Sequence, residues 1–292
     1  MSVTPDRADD PASPIGRPRS RLLVLEAGRS TRRYWRDLWD YRELFFVLAW
    51  RDLAVRYKQT AFGVAWAILR PLLTMLIFTI VFGKLAKLPS AGQVPYPLLV
   101  YAGMLPWFLF SGIVSDASNS LVSNAHLVGK VYFPRLVLPL SSVVVALADC
   151  AISLLPLGAL LGWYRITPDW RVAFLPAFLV LGLLAAIGPS LIIASLNVRY
   201  RDFRFVIPFA LQVGLYVSPV GFLSDIVPEA WRWAYSLNPL VGVIDGARWS
   251  LFGGQAELDV RSLAFGVAVV LFNLAIGVVY FRRTEKTLAD HV

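Results

Sequence analysis

The residue types that catalysis needs are few in this chain and far apart. Its two histidines are His126 and His291, and neither has acids or nucleophiles spaced for a catalytic triad or a metal cluster. The one cysteine, Cys150, stands inside an apolar run and has no partner for a disulfide. The sequence therefore predicts no catalytic, cofactor or metal site in this chain.

The sequence also contains no phosphate-binding loop of the kind that binds ATP. The motif needs a glycine, four residues, then Gly-Lys followed by Ser or Thr. Gly83-Lys84 and Gly129-Lys130 are each followed by an apolar residue and lack the upstream glycine. We expect that the chain does not bind ATP by itself, and that any ATP and Mg²⁺ are bound by a partner.

Three charged residues stand in or beside apolar runs. An ionisable group at membrane depth costs about 2.5 to 3.5 kcal/mol on insertion scales, so Asp116 and Asp149 are candidates for a functional role. Asp149 has two other interpretations, a hydrogen bond to neighbouring helices or simple protonation. Arg70, just before Pro71, can extend its side chain to the inner headgroups.

The elements that carry these residues are apolar segments long enough to cross a bilayer. The chain has 292 residues, of which 57% are hydrophobic and 16% charged. A helix needs roughly 20 apolar residues to span the hydrocarbon. The predicted spans are 64–83, 97–115, 136–162, 172–196, 205–223 and 262–281.

The distribution of positive charge predicts the orientation. The net charge of +9 could suggest nucleic acid, but 12 of the 28 Lys and Arg precede the first span, which favours a membrane surface. The termini and the loops on their side hold 20 Lys and Arg, against 7 in the alternate loops, where Arg248 is counted. Positive charge stays in the cytoplasm during insertion, so both termini are predicted inside.

Two further segments are not plain loops. Residues 30–62 mix rings and arginines, as in an amphipathic helix lying in the headgroup layer, or alternatively one packed on a partner protein. Residues 1–29 lack a signal-peptide core and are predicted to be a disordered cytoplasmic tail. Residues 224–261 alternate aromatics with helix breakers, which predicts two short helices dipping into the outer leaflet or, alternatively, an external loop.

Five ordered motifs resemble one family, the permeases of type 2 ABC exporters, in the branch that exports lipid-linked polysaccharide. They are RDLAVRYKQTAFGVAWAILRPLLTMLIFTIVFGKL (51–85), YPLLVYAGMLPWFLFSG (96–112), SNSLVSNAHLVGKVYFPRLVLPLSS (118–142), NVRYRDFRFVIPF (197–209) and LNPLVGVIDGARWSLFG (237–253). Arg70 departs from the resemblance, since an uncharged polar residue such as Gln is expected there.

The resemblance implies an all-α integral membrane protein with six transmembrane helices over 63–284, an interface helix over 30–62, a re-entrant helix pair before the last span and a cytoplasmic tail at 285–292. It implies a homodimer that has two copies of a separate ATPase subunit as partners, in a bacterial inner membrane. The first and fifth spans would line the channel between the two copies.

Site residues follow from the resemblance together with residue type. Contact with the ATPase is expected at Asn124, His126, Lys130, Tyr132, Arg135, Arg199 and Arg201. Entry of a lipid pyrophosphate is expected at Arg51, Arg56 and Lys58, with Arg70 nearby. Rings that stack on sugars or form the gate are expected at Trp107, Tyr216, Phe222, Trp231, Trp233, Tyr235 and Trp249.

The hypothesis is a transport subunit that moves undecaprenyl-pyrophosphate-linked polysaccharide outward, in contact with membrane lipids and without nucleic acid. Two alternatives remain: a permease for another lipid or a drug, and an integral-membrane transferase acting on the same carrier. The transferase predicts a cluster of acids or histidines at one membrane face, and the sequence has none.

Overall fold

The structure, a computed structural model, describes residues 31–58, 63–200 and 202–285. Several predicted features lie outside the described residues: the tails 1–29 and 286–292, Arg201 and His291. The described part of the chain is helical and contains no strand. The predicted all-α class is therefore confirmed for these residues.

Eleven α-helices follow one another in the described ranges: α1 (Thr31–Asp40), α2 (Arg42–Lys58), α3 (Gly63–Phe78), α4 (Tyr96–Ser123), α5 (Ala125–Lys130), α6 (Val137–Trp163), α7 (Leu175–Arg199), α8 (Phe203–Val217), α9 (Glu229–Tyr235), α10 (Pro239–Leu251) and α11 (Val260–Thr284). A π-helical turn, Thr79–Leu85, extends α3, and short 3₁₀ turns lie at Trp170–Phe174 and Ser224–Ile226.

Five of the described helices are long and apolar enough to cross a membrane. They are α3 with its π-helical turn, α4, α6, α7 with the preceding 3₁₀ turn, and α11. This matches five of the six predicted spans. The chain is an integral membrane protein.

The predicted end of the span at 205–223 is wrong, because α8 has only 15 residues and ends at Val217. Proline disfavours helical geometry in the residue before it, and Ser218, which precedes Pro219, is extended with ψ at 151°. The helix therefore ends before Pro219. Residues 218–223 are not part of it.

The predicted end of the second span at Ser115 is also wrong, because α4 continues to Ser123. Polar side chains at this end of α4 form hydrogen bonds within the helix. The Asn119 amide donates to the Ser115 carbonyl at 2.8 Å, and the Ser120 hydroxyl donates to the Ala117 carbonyl at 2.7 Å. Asp116 consequently lies inside a helix rather than at its end.

Helix α4 is the centre of the fold. It packs against α6, α7 and α10, and 72% of the residues in its most apolar stretch are buried, against 11% in α3 and its π-helical turn. The deepest side chains of α4 include Leu98, Leu99 and Ile113. Helices α3 and α8 lie at the periphery and leave large apolar faces exposed.

Helices α7 and α11 cross with their backbones in contact. A Cβ atom added to Gly277 would lie 2.4 Å from the carbonyl oxygen of Gly188, which real Cβ atoms do not tolerate. Glycine at a crossing point has no side chain, so the backbones of the two helices can come into direct contact, as they do in many pairs of membrane helices. These two glycines therefore set the separation of α7 and α11.

The leader consists of two helices rather than the predicted single helix. The interruption at Tyr41 is slight, since the amide of Tyr41 still donates to the Asp37 carbonyl at 3.0 Å. One face packs against the protein through Leu48 and Ala49, whereas Trp39 and Trp50 are 71% and 65% exposed. The leader thus has one face on the protein and one apolar face that the chain leaves uncovered.

The segment before α11 contains two short helices, α9 and α10, and their predicted position in the outer leaflet stays a prediction. Helix α10 packs against α4, α7 and α11, and its Val243, Ile244 and Ala247 are completely buried. An external loop resting on the surface is therefore the wrong description of α10.

Candidate functional site

A cavity of about 520 Å³ lies between the leader helix α2 and the helices α4 and α6. Most of the residues that line it carry a hydroxyl, an amide, an imidazole or a charged group. Its walls are Arg51, Asp52, Val55, Arg56, Ser115, Asp116, Asn119, Ser120, Ser123, Asn124, His126, Ser142 and Val145. Two of its walls come from the membrane helices α4 and α6, so the cavity places charged and polar side chains of the leader beside two candidate spans.

Arg56 connects all three walls. One guanidinium nitrogen, Nη1, donates to Asp116 of α4 at 2.7 Å, and Nη2 lies 2.7 Å from Oδ2 of Asp149 of α6. Burial disfavours the charged guanidinium, but the two carboxylates outweigh burial and raise the pKa of Arg56 above its ordinary value. Of the interpretations open for Asp149, the structure supports a hydrogen-bonded residue paired with a neighbouring helix.

Tyr57 adds a second contact to Asp149, because its hydroxyl donates to Oδ1 of that carboxylate. Burial and the adjacent Asp149 raise the pKa of Tyr57 above its ordinary range, so the phenol keeps its proton. The last turn of α2 is therefore attached to α6 by an ion pair and a hydrogen bond.

The four residues predicted for substrate entry do not all lie together. Arg51 lines the cavity with Arg56, and it is bonded to Asp52 at 2.7 Å and to the Asn124 amide oxygen at 2.8 Å. Lys58 is exposed at the end of α2. Arg70 is exposed on α3, with its guanidinium 5.3 Å from the ring centre of Phe108.

Some of the residues predicted to contact an ATPase are exposed, and others are hydrogen-bonded to other residues of the chain. His126, Lys130 and Tyr132 are exposed at or just after α5. Asn124 is buried, and its amide donates to the Ser120 carbonyl at 2.8 Å.

Arg135 and Arg199 lie outside α5. Arg135 is attached to the end of α11, since its amide donates to the Glu285 carboxylate at 2.7 Å and its guanidinium to the Glu285 carbonyl. Arg199 is exposed at the end of α7, 5.4 Å from the ring centre of Tyr200.

The aromatic residues predicted for a channel do not form one surface. Trp107 is buried against Gly214 of α8. Tyr216 is exposed, and its ring stacks on the ring of Phe78 with 6.0 Å between the ring centres. Trp249 lies on another side, between Phe174 and Arg171.

The three remaining aromatics lie near the turn between α8 and α9 or on α9 itself. Trp231 and Trp233 are exposed on α9, and Phe222 is half-buried. The hydroxyl of Tyr235 donates to the Val217 carbonyl at 3.0 Å.

Sequence reasoning missed Arg248, which was counted among the charges of the outer loops but is fully buried in α10. Its guanidinium donates to three main-chain carbonyls and lies 4.0 Å from Asp245. Burial lowers the pKa of Arg248 to about 10 and raises that of Asp245 to about 6. The sequence signal that could have indicated this pair is the spacing of Asp245, three residues before Arg248 on one helix.

Comparison with known proteins identifies a family and several relatives that match most of the chain. Residues 43–252 match the ABC-2 type transporter family. The O-antigen export system permease protein RfbA of Myxococcus xanthus is 31% identical over 257 residues, which cover 86% of this chain and 96% of that protein.

Two further relatives have a similar extent. A protein of the same name from Klebsiella pneumoniae is 28% identical over 253 residues, covering 85% of this chain and 94% of its own length. The polysialic acid transport protein KpsM of Escherichia coli is 26% identical over 244 residues, covering 82% and 92%.

Proposed function

Because the chain belongs to the ABC-2 type transporter family, we propose that it is the permease subunit of an ATP-driven exporter of lipid-linked polysaccharide. The observation that carries this proposal is the similarity to permeases named for O-antigen and polysialic acid export along more than four fifths of the chain. The proposed substrate is an O-antigen-like glycan on undecaprenyl pyrophosphate. The proposed site is the inner membrane of a bacterium, with both termini in the cytoplasm.

The proposed assembly is a homodimer with two copies of a separate ATPase subunit, which binds the ATP and Mg²⁺. One copy of the chain would supply six spans, with the shorter helix α8 as the fifth. The proposed pathway lies between the two copies, with α3 and α8 of each copy facing the dimer axis. Helices α9 and α10 would form the re-entrant pair at the outer end.

The proposed energy transfer uses the exposed end of α5. His126, Lys130 and Tyr132 lie on one short segment that directly follows α4, the central helix. Closure of the ATPase dimer would displace this segment, and the packing of α4 would transmit the displacement to the spans around it. The resulting motion of the spans would move the two copies apart.

Entry of the carrier is proposed at the cavity between α2, α4 and α6. Lys58 is exposed beside it and would attract the pyrophosphate first, since a charged phosphate oxygen forms strong hydrogen bonds with ammonium and guanidinium groups. Arg56 already holds two carboxylates, so a phosphate would have to compete with Asp116 and Asp149 for its nitrogens. Arg51 is similarly engaged by Asp52.

The test is reconstitution of the chain with its ATPase in lipid vesicles. Lipid-linked glycan is expected to stimulate ATP hydrolysis several-fold and to appear in the opposite leaflet. Stimulation by a hydrophobic drug or by undecaprenyl phosphate lacking sugar, without glycan stimulation, would support the alternative of another lipid or drug as substrate. Sugar transfer to the carrier without any ATPase would instead support a transferase.

The α5 contact gives a prediction about assembly. Lys130→Glu is expected to weaken association with the ATPase roughly tenfold, or about 1.4 kcal/mol, because it reverses a charge at the proposed interface. Arg261→Glu, an equal reversal at the opposite end of the protein, serves as the control. Co-purification from detergent at several salt concentrations measures the effect, and equal recovery of the ATPase with both variants would contradict the proposed contact.

A further inference from the structure

The turn after α8, residues 217–224, is held in place almost entirely by side chains from other elements. Four main-chain carbonyls of this turn accept from three side chains, those of Tyr235 of α9, Arg248 of α10 and Tyr96 at the start of α4. Two of its serines are bonded as well, Ser218 to the Asn238 amide at 3.0 Å and Ser224 to the Asp245 carboxylate.

Arg248 makes more of these contacts than any other described residue. Its Nη2 donates to the Val220 carbonyl at 2.8 Å and its Nη1 to the Phe222 carbonyl at 2.9 Å. Its Nε donates to the Leu99 carbonyl of α4 at 3.2 Å. A single side chain therefore joins α10, the turn after α8 and the central helix.

The chemistry of the turn explains why a fully buried cation is tolerated there. The last carbonyls of a helix have no partner within it, and Pro219 removes one donor from the turn that follows. A guanidinium offers five N–H groups in a fixed fork and can satisfy several carbonyls together. A lysine at this position has a single nitrogen and cannot reproduce that arrangement.

Elsewhere, α8 has few attachments to the rest of the chain. Phe205 and Phe209, in its inner half, are 81% and 68% exposed. Ile207 is its one buried residue, and Gly214 packs against Trp107. The strong attachments of α8 are thus concentrated at the end where the turn begins.

We infer that Arg248 is the positioning residue that fixes the end of α8 to α4 and α10, so that α8 pivots about this end. Tyr216 and Phe222 are held at constant positions beside the pivot, while the inner half of α8 is free to swing. The export readout below depends on the proposed function, whereas the labelling readout does not.

The experiment compares Arg248→Met and Arg248→Lys with Arg261→Met, which removes an exposed arginine outside the turn. Cysteine is introduced at Val220 within the turn or, as a reference, at Val137 of α6, both in a Cys150→Ser background. Both valines are buried, Val220 at 0% and Val137 at 1% exposed. A water-soluble maleimide therefore reaches either position only when the surrounding structure opens.

Both Arg248 variants are expected to raise the labelling rate at position 220 roughly tenfold, since losing charged hydrogen bonds eases local opening. The rate at position 137 and the ATPase activity without glycan should not change, while glycan export falls at least fivefold. Arg261→Met should leave all four quantities unchanged.

Unchanged labelling at position 220 would overturn the inference, whether or not export is lost. An equal rise at positions 220 and 137 would also overturn it, because that result indicates general unfolding. If neither Arg248 variant accumulates, Tyr96→Phe removes only one bond to the turn, and an intermediate rise at position 220 is then expected. A wild-type complex without glycan-stimulated hydrolysis would refute the proposed function and leave the labelling result intact.

Discussion

Gly277→Val is expected to prevent accumulation of folded protein, the largest effect of any single substitution considered. Its Cβ would lie 2.4 Å from the Gly188 carbonyl oxygen and 2.8 Å from the Gly188 Cα, so α7 and α11 would have to separate along their whole contact. Overpacking a close interface costs about 3 kcal/mol or more when backbone atoms must move. The measurement is the amount of monodisperse protein in detergent and its melting temperature.

Gly158→Val is the matched control, because Gly158 lies within the span α6 and a Cβ there meets no atom within 4 Å. This variant should accumulate as wild type does. Equal loss of both variants would indicate that any β-branched residue in a span is harmful. Equal survival would show that the helix crossing at Gly188 and Gly277 is not needed for folding.

Arg56→Met is expected to reduce stability by leaving Asp116 and Asp149 as adjacent unpaired carboxylates. Removing one partner of a buried ion pair costs several kcal/mol. Here the Arg56 side chain is 38% exposed and the two carboxylates 34% and 26%, so water screening reduces the expected loss to about 1 to 2 kcal/mol. The measurement is the melting temperature of the purified chain.

The triple variant Arg56→Met, Asp116→Asn and Asp149→Asn removes the charges together and is expected to recover most of this stability. It also separates two roles of Arg56. If the arginine acts only by joining α2 to α4 and α6, export should recover with stability. If it also binds the pyrophosphate, the triple variant should be stable and remain defective in export, whereas Lys58→Glu should impair export without affecting the melting temperature.

The spans with uninterrupted apolar sequence were predictable, because burial in lipid requires long runs without charge. The predicted ranges 64–83, 136–162 and 262–281 agree to within a few residues with α3 and its π-helical turn, with α6 and with α11. The prediction failed where a local feature outweighs hydropathy. Pro219 ends α8 within an apolar run, and serine and asparagine side chains prolong α4 into a polar one.

The pairings at the site were not predictable from one sequence. Asp116 and Asp149 were recognised as unusual because charge in a span is costly, but nothing local indicates that Arg56, 60 residues before Asp116, is the partner. The same holds for Arg248, whose acceptor Leu99 is 149 residues away. Hydropathy and spacing describe single elements, and these contacts arise only when separate elements pack.

The central position of α4 has a consequence for biogenesis. Helix α10 and Arg248, which cover α4 and bond to Leu99, are synthesised after it, since Arg248 lies 149 residues after Leu99. A nascent chain must therefore retain a partly uncovered central span until α10 has been made. Chains truncated before α10 should leave this face of α4 uncovered and be substrates for membrane proteases.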